Sequence, residues 1–137
     1  MSDCKTNGNQ CTTRKGTHFT AYESGACKDW PAHKVELPGL GEIPGKLFLK
    51  DMVGFTGCEI SINSMAPGAG MPIYHQHQQN EEVYIFIRGK GQVQVDGEVI
   101  DVQEGSIVRI APNGERVSGM PACRKKKWLG LTNGTRL

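Results

Sequence analysis

The chain predicts an all-β domain, a small antiparallel β-barrel or jelly roll, and three observations carry that expectation. First, 18 glycines and 7 prolines punctuate 137 residues, a density that suits short strands and turns better than long helices. Second, several runs alternate apolar and polar side chains with a period of two, and no stretch shows a helical period. Third, Asp96-Gly97 lies between two alternating runs, the pair that a two-residue type I′ hairpin turn demands. The length has room for one core and little more. Residues 1–16 therefore read as a polar, flexible N-terminal arm and 17–137 as a single barrel domain.

The elements follow in order. Residues up to Gly16 hold almost no apolar side chains, so burial would not offset the entropy of ordering them. Thr17 to Tyr22 reads as a first short strand, and Trp30 to Leu37 as a second with Val35 and Leu37 in phase. His18 and His33, with no patterned partners, read as surface or rim residues. Pro38 to Gly45 is a loop by composition. Lys46 to Val53 reads as a strand bounded by Gly54, and Glu59 to Met65 alternates as a strand buried on the Ile60 and Ile62 side. In the Asp-Gly hairpin, Val95 faces Glu98, Gln94 faces Val99 and Val93 faces Ile100. That register puts Val93, Val95, Ile100 and Val102 on one apolar side. Ser106 to Ala111 makes a further strand, ended at Pro112-Asn113-Gly114. Beyond Val117 only Lys127 to Leu131 offers a closing strand. Either it closes the barrel or a second chain covers the open edge, and a homodimer is the common way to supply that cover.

Composition excludes several classes of function. A net charge of +2, not gathered on one face, makes no case for nucleic acid. The four cations Arg124 to Lys127 read as a solvated tail. Five cysteines, odd in number and without a Cys-x-x-Cys pair, read as free thiols of a reducing compartment. No run approaches the ~18 apolar residues of a membrane span, and the polar N-terminus lacks the apolar segment of a signal peptide. A soluble, cytoplasmic protein without a membrane partner is expected.

Chemistry concentrates between Met71 and Gly91. His75 and His77 stand two apart in a run that reads as a strand, which sends both imidazoles from one face. A tight turn at Gln78-Gln79-Asn80 would fold Val83 to Ile87 back alongside and bring Glu82 beside them. Two imidazoles and a carboxylate form a ligand set for a divalent metal, Fe, Mn, Zn or Ni. The parity that turns Glu82 inward takes Tyr84 and Phe86 with it. The competing parity turns Glu81 inward with Val83, Ile85 and Ile87.

His75, His77, Glu82 and Gly89, in the order His-x-His, four residues, Glu, six residues, Gly, resemble the first motif of the cupin superfamily, and that spacing selects Glu82 over Glu81. The lead-in Gly68-Ala69-Gly70-Met71-Pro72 is similar to the start of the same motif. Gly105, Pro112 and Gly114 resemble the second motif, in which a His and an Asn follow. Here those positions are Val117 and Pro121. The resemblance spans about Gly68 to Gly119. It implies a cupin barrel with a three-ligand metal site, weakly held for want of the fourth ligand.

Three ligands leave about half of an octahedral coordination sphere open, the arrangement of non-haem Fe(II) oxygenase sites. Tyr84 and Phe86 would line the cavity, and Arg109 or Arg116 would pair with a carboxylate or phosphate of a small-molecule ligand. The sequence thus allows an oxygenase or isomerase acting on a small anionic substrate. It equally allows a non-catalytic small-molecule-binding module, or a structural domain with a vestigial metal site, and leaves enzyme status open.

Overall fold

The computed structural model describes residues 5–6, 9–10, 12–70, 79–118 and 128–133, with side chains described within 12–70 and 79–115. The strands are β1 (Lys5–Thr6), β2 (Asn9–Gln10), β3 (Thr13–Lys15), β4 (Thr20–Tyr22), β5 (Lys34–Leu37), β6 (Gly41–Pro44), β7 (Lys46–Phe48), β8 (Ile60–Met65), β9 (Glu82–Arg88), β10 (Lys90–Val95), β11 (Glu98–Gln103), β12 (Ile107–Ile110), β13 (Arg116–Ser118) and β14 (Trp128–Asn133). Among the described residues helix is confined to a 3-10 segment, Cys27–Ala32, and a single turn, α1, at Lys50–Val53. The all-β expectation holds. Among the described residues the strands form a five-stranded sheet, β12-β9-β14-β8-β7, a three-stranded sheet, β11-β10-β13, and three two-stranded ribbons, rather than one continuous closed sheet.

The two larger sheets share one core. Tyr84, Phe86 and Ile110 from the five-stranded sheet meet Val93 and Val102 from the three-stranded one, with Val95, Ile100, Met65 and Val108 packed around them. The hairpin that joins β10 to β11 has the expected register, with Val95 opposite Glu98, Gln94 opposite Val99 and Val93 opposite Ile100. Its turn places Asp96 at φ 50° and Gly97 at φ 82°, the two positive values of a type I′ turn.

The other face of the five-stranded sheet is covered too. Trp30, Leu47 and Ile62 form a second cluster, against which Tyr22, Cys27, Leu49, Met52 and Ile87 pack. The N-terminal segment therefore serves as a lid over the sheet's outer face. β3, which falls within the expected polar arm, pairs with β4, and the Arg14 guanidinium lies 5.7 Å over the Phe19 ring.

Several expectations are corrected. Trp30 belongs to the 3-10 segment, where Asp29 N–H donates to the Ala26 carbonyl and His33 N–H to the Trp30 carbonyl. His33 is buried rather than at the rim, and its Nε2 lies 3.1 Å from the Ser24 carbonyl, tying down the segment ahead of it. The stretch read as loop contains β6, paired with β5 from Lys34 opposite Pro44 to Leu37 opposite Gly41. The strand expected from Lys46 to Val53 ends at Phe48. There the Glu59 carboxylate accepts the Lys50 N–H at 3.0 Å, a helical turn forms, and Gly54 at φ 75° ends it. β8, expected to be buried on one side, has Ser61, Ile62, Asn63 and Ser64 all buried because both faces of its sheet are covered. The last strand among the described residues is β14, which does not close an edge. It lies between β8 and β9, antiparallel to both.

Candidate functional site

The register fixes which side chains share the face between the two sheets. Lys46 pairs with Asn63 and Phe48 with Ser61 across β7 and β8. Val108 pairs with Tyr84 and Ile110 with Glu82 across β12 and β9. Since side chains alternate along a strand, Lys46, Phe48, Ser61, Asn63, Glu82, Tyr84 and Phe86 stand on one side, with Leu47, Ile62 and Ile87 on the other. Glu82 is 7% exposed, while its neighbour Glu81 is exposed. The Tyr84 and Phe86 rings meet edge to face with centroids 6.4 Å apart. The three residues whose parity mattered most therefore lie together.

Arg109 does not join them. It is exposed and forms an ion pair with Glu81 on the far side of the sheet. Two residues short of it in the chain, Ile107 is 67% exposed and pairs with Ile85, also exposed. Arg116 stands opposite Val95 and Val117 opposite Gln94 in the β13 to β10 pairing. His75 and His77 lie outside the described residues, as does the expected turn's first residue, Gln78.

Lys46 is the residue that the sequence reading missed. It is the only lysine or arginine among the described side chains that is not exposed. Its Nζ donates to Asn63 Oδ1 at 2.7 Å and lies 4.9 Å over the Phe48 ring. Burial pulls its pKa below the ordinary lysine value, and the Glu82 and Glu59 carboxylates only partly restore it. Asn63 is itself held, its Nδ2 donating to the Ser61 carbonyl at 3.2 Å and to Ser61 Oγ at 3.1 Å. The amide oxygen is thus committed to the ammonium. A lysine opening a strand gives no sign of burial in the sequence, since lysine is ordinarily exposed.

Whether these residues suit a divalent metal is a matter of donors and charge. Among the described residues no group of three His, Cys, Asp or Glu side chains stands together, so a metal there needs the histidine pair as well as Glu82. The charge balance fits a cation. Among the described residues two buried carboxylates, Glu59 and Glu82, act on one half-buried ammonium, Lys46, a surplus of negative charge that a cation would offset.

The described residues make two antiparallel sheets packed face to face, with polar side chains buried between them. The chain belongs to the cupin superfamily. The family model described as a cupin domain matches residues 62–116. A crystal structure of a cupin protein from Bacteroides fragilis is 40% identical, covering 64% of this chain and 73% of that one, with a TM-score of 0.61. A cupin-like protein from Thermotoga maritima is 22% identical over 67% of this chain and 68% of its own, with a TM-score of 0.57. A candidate sugar phosphate isomerase from Acidithiobacillus ferrooxidans is 20% identical over 66% and 58%, with a TM-score of 0.54. At those identities the last two speak to the fold alone. No curated protein matches the chain.

Proposed function

We propose that this cupin binds a divalent metal, Fe, Mn, Zn or Ni, through His75, His77 and Glu82, and that it takes a small anionic ligand between its two sheets. The two sheets would be the halves of a jelly-roll barrel. The observation that carries the reading is Glu82. It is a buried carboxylate at the head of β9, on the face that it shares with Tyr84, Phe86 and Lys46. When bound, the metal would supply Lewis-acid activation of a ligand oxygen. Glu82 would bind it, Tyr84 and Phe86 would exclude water from the ligand's apolar part, and Lys46 would hold a negative charge near the site. Arg109, engaged with Glu81 outside, gives up the anion-binding role to Lys46, and Arg116 keeps it as a second candidate.

A metal-dependent oxygenase or isomerase acting on a small anionic substrate would use this arrangement, and so would a non-catalytic binding module. The binding module is favoured by the incomplete ligand set, since Val117 stands where the second cupin motif has its His. We place the protein in the cytoplasm. Two features agree with that. Cys27 and Cys58 are free, and no helix among the described residues is long and apolar enough to cross a membrane. We also propose a homodimer, supported by the exposed Ile85 and Ile107 beside the edge strand β12.

The test is metal content and calorimetric affinity of protein purified without a metal-affinity tag, for wild type, His75→Ala and Glu82→Gln. Binding should be easily chelated and should weaken as pH falls through about 6.5, where free imidazole protonates. Wild type that takes up none of the four metals, or affinity unmoved by both substitutions, removes the metal site and leaves the binding-module or structural reading.

A further inference from the structure

Glu59, the residue just ahead of β8, is a buried carboxylate for which the proposed site has no use. It is 6% exposed. One of its oxygens, Oε1, accepts the Lys50 N–H at 3.0 Å, while Oε2 is buried and has no hydrogen-bond partner among the described residues. An unsatisfied carboxylate oxygen in the interior is costly, and a carboxylate anchored through its other oxygen is how metal ligands are commonly held. The register places Glu59 level with Glu82. Ile60 of β8 pairs with Asn133 of β14, and Asn133 pairs with Val83 of β9. Glu59 and Glu82 stand one residue before Ile60 and Val83, so they share a row across the sheet with only β14 between them. Alternation puts both on the face of Ser61, Asn63 and Tyr84. Two strand spacings set their backbones about 10 Å apart, a gap that two glutamate side chains directed at one point between them can close. Lys46 does not fill that point. It pairs with Asn63, roughly 13 Å along β8 from Glu59, its Nζ donates to Asn63 Oδ1, and one ammonium cannot neutralise two carboxylates.

We infer that Glu59 is a further ligand of the divalent metal, which it shares with Glu82. Oε2 binds the ion while the Lys50 N–H holds Oε1 in place. The inference rests on the proposed metal site and adds a residue to it. That site is one donor short, because Val117 stands where the second cupin motif supplies a His, and Glu59 offers a donor from the other side of β14. Two carboxylates also match the charge of a dication, which an imidazole in the fourth position would leave half compensated.

The experiment is calorimetric titration of the full chain with Fe(II), Mn(II), Zn(II) and Ni(II), each alone, for wild type, Glu59→Gln and Glu59→Asp, with His75→Ala and Glu82→Gln beside them. Glu59→Gln keeps the side-chain length and an oxygen for the Lys50 N–H but removes the charge. Glu59→Asp keeps the charge and draws it back by one methylene. A ligand is lost in both, so both should bind at least about tenfold more weakly, since even partners outside the coordination sphere are worth about 10–100-fold. Affinity retained in either variant overturns the inference. Retention in Glu59→Asp alone means that Glu59 acts on the ion through its charge, without binding it. Circular dichroism checks the fold, and should Glu59→Gln fail to fold, Glu59→Asp decides alone. Glu81→Gln, which removes an exposed carboxylate, should leave affinity unchanged, and a loss as large as that of Glu59→Gln overturns the inference. Affinity lost in His75→Ala and Glu82→Gln but kept in both Glu59 variants leaves the proposed metal site standing and overturns this inference alone. Affinity lost in both Glu59 variants but kept in Glu82→Gln upholds Glu59 as a ligand and removes Glu82 from the set. Wild type that binds none of the four ions overturns both.

Discussion

Gly45 joins three parts of the chain, and replacing it by alanine should be far more damaging than its place in a turn suggests. Its N–H donates to the His33 carbonyl, and its own carbonyl accepts the Ser64 N–H at 2.6 Å. The turn between β6 and β7 is thereby tied both to the segment that covers the outer sheet face and to β8. Gly45 sits at φ 71°, and a Cβ there would run into the Ser64 carbonyl, with the carbonyl carbon 2.9 Å away. The left-handed conformation alone costs a non-glycine residue about 1 kcal/mol. Relieving a clash with backbone means moving Gly45 off β8 and loosening two hydrogen bonds, each worth about 1 kcal/mol. The total is about 3 kcal/mol, a large part of the roughly 5–15 kcal/mol that holds such a domain together. Gly39 provides the control. It has φ 79°, but a Cβ there would meet nothing within 4 Å, so Gly39→Ala should lose only about 1 kcal/mol. Urea denaturation of both variants and wild type measures the difference. If Gly45→Ala and Gly39→Ala agree to within about 0.5 kcal/mol, the close approach of β8 is wrong, since measurement and context effects are of that order.

Three further outcomes are expected. Phe86, 2% exposed in the shared core, should cost about 3–5 kcal/mol when replaced by alanine, and a loss under about 1 kcal/mol in urea denaturation would place it outside a packed core. Lys46 has its pKa lowered by burial, so the folded state gives up this proton before the unfolded chain does. Its burial penalty is complete below the lowered value and is relieved as pH rises toward 10.5. The stability of wild type relative to Lys46→Met should therefore increase between neutral pH and the ordinary lysine range, and a flat difference would refute the burial of a charged amine. Ile107→Lys should shift a sedimenting dimer toward monomer; a wild-type monomer at tens of micromolar, or a dimer indifferent to that change, argues against association through β12.

What the sequence disclosed was local. The Asp96-Gly97 hairpin was legible to the residue because its turn type and register are set by two adjacent residues and by side-chain alternation. Glu82, Tyr84 and Phe86 were legible as one face for the same reason. Long-range placement was not. Nothing in Trp128 to Asn133 announces a strand lying between β8 and β9, since that position is set by partners more than 40 residues away. The turn at Lys50 depends on the Glu59 carboxylate, which only folding brings to its N–H. Alternation misled in β8 for a plain physical reason. Period two separates buried from exposed only when one face meets water, and here the covering N-terminal segment and the second sheet bury both.

That double burial bears on function. Ser61, Asn63 and Lys46 occupy a sheet face where apolar residues would pack as well, and exchanging buried ionic groups for apolar ones of similar volume is often neutral or stabilising. Stability alone therefore gives no reason to keep an ammonium between two sheets. Its surroundings do reduce the cost. The Asn63 oxygen and the Phe48 ring contact it, and Glu59 and Glu82 supply opposing charge. Lys46 is also the sole charged residue, among the described ones, that lines the cavity at the end of β7 and β8. The outer face of β7 and β8 shows the contrast, since Trp30, Leu47 and Ile62 form an apolar cluster there.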